Sequence, residues 1–259
     1  MGKIFEILDF FSCGKNKTKK NNDITLDNGK FTSISNIESN KPYQSAELSF
    51  GNLESETIYQ NTNTMRNDIF VMLDRAHGQD VPGKKSLVLH DGRQLFEWKY
   101  SREICQRIKD KLDVLGIPNT FINDTDNEIG LSKRAEIANE YVSKYQNCIL
   151  VSVHCNAAGN GFCWSNANGW EVWSTKSKNN SDKLAQCFLD SFKEIFPDRR
   201  LRGHKEENYT VLYKTNCPCV LTENFFMDNM EETQFMLSEE GKEKITELHV
   251  KAILKYFNI

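Results

Sequence analysis

CILVSVH, residues 148–154, is the stretch on which the fold turns. It is a short apolar run that stops at an imidazole, and it reads as a buried strand. Upstream, DIFVMLD (68–74) is a second run of the same kind. Between them, GRQLFEWKYSREICQRIKDKLDVLG (92–116) has apolar residues at 104, 108, 112 and 115, one face of a helix, with Gly116 as its stop. IPNTFIN (117–123) is strand-like. LSKRAEIANEYVSKY (131–145) returns to helical spacing through Leu131, Ala135, Ala138 and Val142. Downstream, GWEVWST (169–175) alternates as a strand near an edge, and SDKLAQCFLDSFKEIF (181–196) aligns Leu184 and Phe188 with Phe192 or Ile195 on a helix. PCVLTEN (218–224) is a further strand. The tail from Glu231 is helical, with Ile245, Leu248, Ala252, Ile253 and Tyr256 on one stripe. Strands alternating with helices predict an α/β fold over residues 67–259: a single, mostly parallel, twisted sheet covered by helices on both faces.

The first 66 residues differ. Asn, Ser and Thr fill 22 of these positions, and KNKTKKNN (15–22) has nothing to bury. Such a segment cannot easily offset its ordering entropy, so it is expected to be a flexible extension, with a small folded module as the alternative. The whole chain of 259 residues carries 33 Lys and Arg against 36 Asp and Glu, a net charge of −3. That balance excludes a nucleic-acid grip built on bulk positive charge. No apolar run approaches the ~18 residues that suggest a membrane span. The eight cysteines include several inside apolar runs, which points to a reducing compartment without a disulfide framework. Glu6 and Asp9 interrupt the apolar start, so no signal peptide is expected, and the chain is expected in the cytoplasm, as a monomer.

In open α/β sheets, ligands bind beyond the carboxyl ends of the strands. His77 follows the first strand, His154 ends CILVSVH and Glu223 ends PCVLTE. Each alone reads more simply as a hydrogen-bonded or solvated strand end. Glu97 lies on the buried face of the 92–116 helix with Ser101, Ile104 and Ile108, where a bare carboxylate is costly unless paired or metal-bound. Its simpler reading is a first-turn Glu drawn to the helix N-terminus. Taken together, His77, Glu97 and His154 form the sharper reading, a His/Glu/His zinc site of one ion, with Glu223 beside it to handle protons. His90, in the intervening loop, is an alternative ligand. Cys155 is excluded as a partner of His154, because adjacent strand residues point to opposite faces. Cys217 and Cys219 lack a second cysteine pair and read as buried thiols.

These segments resemble the zinc-dependent N-acetylmuramoyl-L-alanine amidases of the amidase 3 family, over about residues 67–257. MLDRAHGQD (72–80) is similar to the family's first-histidine segment. LFEWKYS (95–101) resembles its glutamate segment, LSKRAEIAN (131–139) its Arg/Asn helix, LVSVHCNA (150–157) its second-histidine strand and NGWEVWST (168–175) its G-x-E strand. PCVLTENFFMDN (218–229) resembles its catalytic-glutamate strand. The resemblance implies zinc on His77, Glu97 and His154, with Glu223 catalytic, and hydrolysis of the amide between N-acetylmuramic acid and L-alanine in peptidoglycan. Asn156, Arg202 and His204 are candidates for substrate contact. Arg134 and Asn139 are expected to hold their helix to the sheet, and Trp164 lies in a loop placed to bind. The sequence departs from the family at Arg75-Ala76, Gln79 and Phe225, positions where the family has Pro-Gly, Gly and Gly; the departures are expected to alter loop shape and substrate contacts rather than ligands. Without a leader, the chain looks like a phage endolysin, released to the wall through a membrane pore. A catalytically silent wall-binding or structural protein with the same fold is the other class.

Overall fold

The structure is a computed structural model and describes residues 68–176 and 179–259. The expected flexible extension, residues 1–66, lies outside the described residues. Among the described residues six strands form one sheet: β1 (Phe70–Arg75), β2 (Asn119–Phe121), β3 (Cys148–Asn156), β4 (Trp170–Ser174), β5 (Leu201–Glu206) and β6 (Cys219–Phe226), in the order β2-β1-β3-β6-β4-β5. All neighbours are parallel except β4 and β6, which run antiparallel. The helices are α1 (Glu97–Val114), α2 (Leu131–Val142), α3 (Asn179–Ile195), α4 (Thr210–Tyr213), α5 (Met230–Met236) and α6 (Glu239–Phe257).

The two-residue period of β1 shows why both faces are covered. Val71 and Leu73 enter a core with Ile104, Ile108 and Leu112 of α1, Phe188 and Phe192 of α3, and Leu248 and Ile253 of α6. Phe70 and Met72 enter a second core with Ala138 of α2 and Val211 and Leu212 of α4. The central strands are therefore apolar on both sides, as expected for parallel strands wrapped by helices.

The helix expected over 92–116 begins only at Glu97. Phe96, just before it, is extended and bridged antiparallel to Lys85. Gly116 ends it at φ +67°, donating to Asp113, while the Ile117 N–H reaches the Leu112 carbonyl at 2.9 Å. The tail is two helices rather than one. Ser238 caps α6 by accepting from the Gly241 N–H at 3.0 Å. A Cβ on Gly241 would lie 1.9 Å from the Phe235 carbonyl oxygen, so only glycine fits this break. β5 and α4 occupy a stretch to which the sequence pattern assigned no element. β4, expected near an edge, is one strand in from it, with β5 outside. Among the described residues no helix is long and apolar enough to cross a membrane.

His249 of α6 is fully buried under the sheet. Its Nδ1–H donates to Ile245 O at 2.7 Å, and Nε2 accepts from the Thr222 hydroxyl at 2.9 Å. Burial pushes its pKa down to about 4, against a weaker pull upward from the Ile245 carbonyl. Between ~6.5 and 4 the unfolded chain binds the proton more readily, so stability falls as the pH drops through that window, by about 3 kcal/mol in full. We predict that His249→Leu flattens this acid branch: the melting temperature of the parent falls more between pH 7 and pH 5 than that of the variant. Equal falls would contradict the buried neutral imidazole.

Candidate functional site

Three chain segments meet at the carboxyl ends of β1 and β3. His77, two residues past β1, has φ +50°, an unusual conformation for a non-glycine residue. Its surroundings fix it: the Ala76 N–H donates to Ser101 Oγ at 2.8 Å, and Arg102 of α1 donates to the His77 carbonyl at 3.0 Å. Gly78 follows because a Cβ there would lie 2.0 Å from the Glu128 backbone nitrogen. Glu97 opens α1 yet is only 2% exposed. Its Oε2 lies 3.3 Å from His77 Nε2, and its Oε1 lies 3.2 Å from His154 Nδ1 while accepting the Cys155 N–H at 3.1 Å. The two imidazoles stand edge to face, 5.1 Å apart. One ligand atom from each of the three residues lies within 4.8 Å of the others.

A chain of hydrogen bonds behind His154 decides which nitrogen carries its proton. Buried Arg134 donates to Asp74 Oδ1 at 2.7 Å, and the Ser152 hydroxyl donates to Asp74 Oδ2 at 2.6 Å. With its proton so used, Ser152 Oγ, 3.1 Å from His154 Nε2, accepts from that ring nitrogen. The lone pair on Nδ1 then faces the oxygen of Glu97. Glu97 Oε1 is already an acceptor, of the Cys155 N–H. Burial pushes His154 down, against the pull of Glu97. Two acceptors thus face each other, and a cation between them would resolve the conflict. Two imidazole nitrogens and one carboxylate form a donor set that fits zinc, and Arg134, Asp74 and Ser152 supply the support behind a ligand that orients it.

Glu223 stands across the ladder from His154 on one side and from Glu171 on the other. Its Oε2 is buried without a hydrogen-bond partner among the described residues. Burial raises its pKa well above the usual value, the charges of Glu97 and Glu171 add to this, and Lys84 and Lys205 oppose it. Glu171, in turn, is fully engaged: Oε1 accepts from Asn156 and Trp173 at 3.0 Å each, and Oε2 from Arg202 at 2.6 Å and Lys205 at 2.7 Å.

The structure brings His77, Glu97, His154, Glu223, Asn156 and Arg202 to this rim. It does not bring His204. That residue pairs with Val172, which belongs to the α1/α3/α6 core, so His204 faces the opposite side of the sheet. There it meets Ser174 at 2.8 Å and Asp182 at 3.7 Å. His90 is exposed in its loop and outside the cluster. Cys155 is 4% exposed in the core, and Cys217 and Cys219 are buried. Asn139 ties α2 to the segment before β6, through Lys214 O and the Asn216 N–H. Trp164 is half-buried in the loop after β3.

Phe225 is a correction. A register shift separates the Glu223 and Phe226 pairings, and within it Phe225 takes φ +67°. The left-handed backbone that suits glycine is kept with a phenylalanine in it. Its ring leaves the rim and packs edge-on against Phe196 and Phe235, at 5.5 and 5.6 Å. It therefore alters the core, not the substrate contacts. Sequence reasoning also missed Glu171, Lys205, Asp74 and Ser152. The available signal was a lone charge inside an apolar strand, Glu171 in WEVWS and Asp74 at the end of FVMLD.

The fold and the cluster define an α/β protein with a candidate metal centre at the carboxyl ends of its strands. Residues 71–255 match the Amidase_3 family, N-acetylmuramoyl-L-alanine amidase, and the chain belongs to that family. It is 26% identical over 195 residues to the endolysin of Bacillus phage SPP1, covering 73% of this chain and 66% of that protein. It is 26% identical over 135 residues to the N-acetylmuramoyl-L-alanine amidase CwlM of Bacillus licheniformis, covering 52% of this chain and about half, 49%, of the relative. The N-acetylmuramoyl-L-alanine amidase from Clostridium difficile 630 is similar in structure, with a TM-score of 0.65 and 29% identity, covering 74% of this chain and 98% of that one.

The Phe225 geometry generates a stability prediction. Phe225→Gly removes a buried ring, a loss of roughly 3–5 kcal/mol, and relieves backbone strain of about 1–2 kcal/mol. Urea unfolding should show a net loss of about 2 kcal/mol. A more stable variant would mean that strain, not packing, dominates this position.

Proposed function

We propose that the protein is a zinc-dependent N-acetylmuramoyl-L-alanine amidase that cleaves the amide between N-acetylmuramic acid and L-alanine in bacterial peptidoglycan. The observation that carries this reading is the convergence of His154 Nδ1 and His77 Nε2 on the two oxygens of buried Glu97, in a chain of the Amidase_3 family. His77, Glu97 and His154 would hold the ion. When bound, zinc supplies Lewis acidity towards water and towards an amide carbonyl.

The remaining work falls to Glu223. An amide is a poor electrophile, and its nitrogen leaves only when protonated. Glu223 takes a proton from the attacking water as oxygen bonds to the carbonyl carbon. It then delivers that proton to the alanine nitrogen as the C–N bond breaks, giving a carboxylic acid and a free amine. Its buried, partnerless Oε2 supports the role, since no neighbouring donor holds the carboxylate out of use. The raised proton affinity that burial gives it suits a group that must both accept and return a proton.

Glu223→Gln should retain one zinc per chain while losing about 10²–10⁴-fold of the rate on wall preparations followed by turbidity. Near-parental lysis by this variant would remove Glu223 from the mechanism. His154→Ala should purify without zinc by elemental analysis, and chelation of the parent should stop lysis until zinc is restored. Full lysis in chelator would contradict the metal reading. Binding to walls without release of new amino groups would favour the silent wall-binding alternative.

A further inference from the structure

We propose that Arg202 and Lys205, clamped on Glu171, form a subsite for a free carboxylate of the peptidoglycan stem peptide. The proposal rests on the amidase reading and adds a specificity determinant to it. Three features carry it. The first is register. Glu171 lies opposite Glu223, and Lys205 lies opposite Trp173, two residues further along β4 on the same face. The second is a β-bulge. The pairing jumps from Trp170–Leu201 to Glu171–Gly203, which leaves Arg202 as the extra residue. Arg202 and Lys205, three apart, would point to opposite faces of a regular strand. The bulge, with Gly203 at φ +94°, re-aims Arg202 so that both cations reach the same oxygen of Glu171.

The third is charge. Two cations share one buried carboxylate, so one positive charge of this trio is unmatched by Glu171. Glu171 is 3% exposed in its side chain, whereas Arg202 is 25% and Lys205 34% exposed. Arg202 spends Nε on Glu171 and Nη1 on the Asn168 carbonyl, and its guanidinium lies over the Phe226 ring at 4.9 Å. Lys205 lies over Trp173 at 4.9 Å. Among the described residues Arg202 Nη2 makes no hydrogen bond and Lys205 makes one, to Glu171, so donors remain on both partly exposed heads. In peptidoglycan the lactyl carboxyl is already an amide, and the free carboxylates belong to the stem peptide. Some walls convert these to primary amides, which removes the charge while keeping the shape. Glu171 is thus a positioning residue for two carboxylate-binding cations.

The test compares two soluble muropeptides that differ only in whether the stem carboxylate is free or amidated. The parent should show kcat/KM higher for the free acid by ~10- to 100-fold, the range of one charge-assisted hydrogen bond, mostly through KM. In Lys205→Met and in Arg202→Met the ratio should collapse towards one, and Lys205→Arg should restore part of it. A parent ratio near one overturns the subsite, and so does a ratio that survives both Met variants. If a Met variant fails to fold, the parent ratio and the Lys205→Arg variant still decide. If the parent cleaves neither muropeptide, the amidase reading fails separately. Calorimetric binding of the two compounds to the parent then reads the subsite, with tighter binding of the free acid supporting it and equal binding overturning it.

Discussion

The site depends on one constraint: a buried carboxylate, Glu97, whose two oxygens are each aimed at an imidazole. Left alone, such an anion is among the most costly groups a protein can bury. Three contacts meet it, the Cys155 N–H, His77 and His154. One of the three is unfavourable as neutral chemistry stands, because the Asp74–Ser152 relay gives His154 its proton on the far nitrogen. A cation would satisfy the arrangement, and the hydrogen-bond network behind His154 would orient that ring towards it.

That network joins fold to site. Asp74 is the fifth residue of β1, Ser152 and His154 lie on the same face of β3, and Arg134 comes from α2 on that side. Glu97 comes from the other layer and reaches the same point because α1 begins where β1 and β3 end. Both helical layers therefore contribute to one centre at the strand ends. The antiparallel insertion of β4 beside β6 places Glu171 against Glu223, so the Glu223 carboxylate sits between a candidate metal centre and the cations Arg202 and Lys205.

Much of this was legible in the sequence because the central strands are buried on both faces. DIFVMLD, CILVSVH and PCVLTEN are apolar without alternation, and each ends in polar residues that lie at the rim. Glu97 was legible through helical spacing. What escaped notice is equally physical. LRGHKE has no apolar alternation, because β5 is a half-exposed edge strand, and so His204 was grouped with Arg202 although the ladder turns it to the other face. The bulge that re-aims Arg202 depends on pairing with β4, which no single stretch encodes. Phe225 could not be read from composition, since its left-handed backbone is imposed by the register shift and compensated by three neighbouring aromatic rings.

Diffraction from zinc-soaked crystals at the zinc absorption edge would locate an ion held by His77, Glu97 and His154. A single anomalous peak per chain is expected, about 2.0–2.2 Å from His77 Nε2, His154 Nδ1 and a carboxylate oxygen of Glu97. No peak there, or a peak that engages His154 through Nε2 with the Ser152 contact broken, would contradict it.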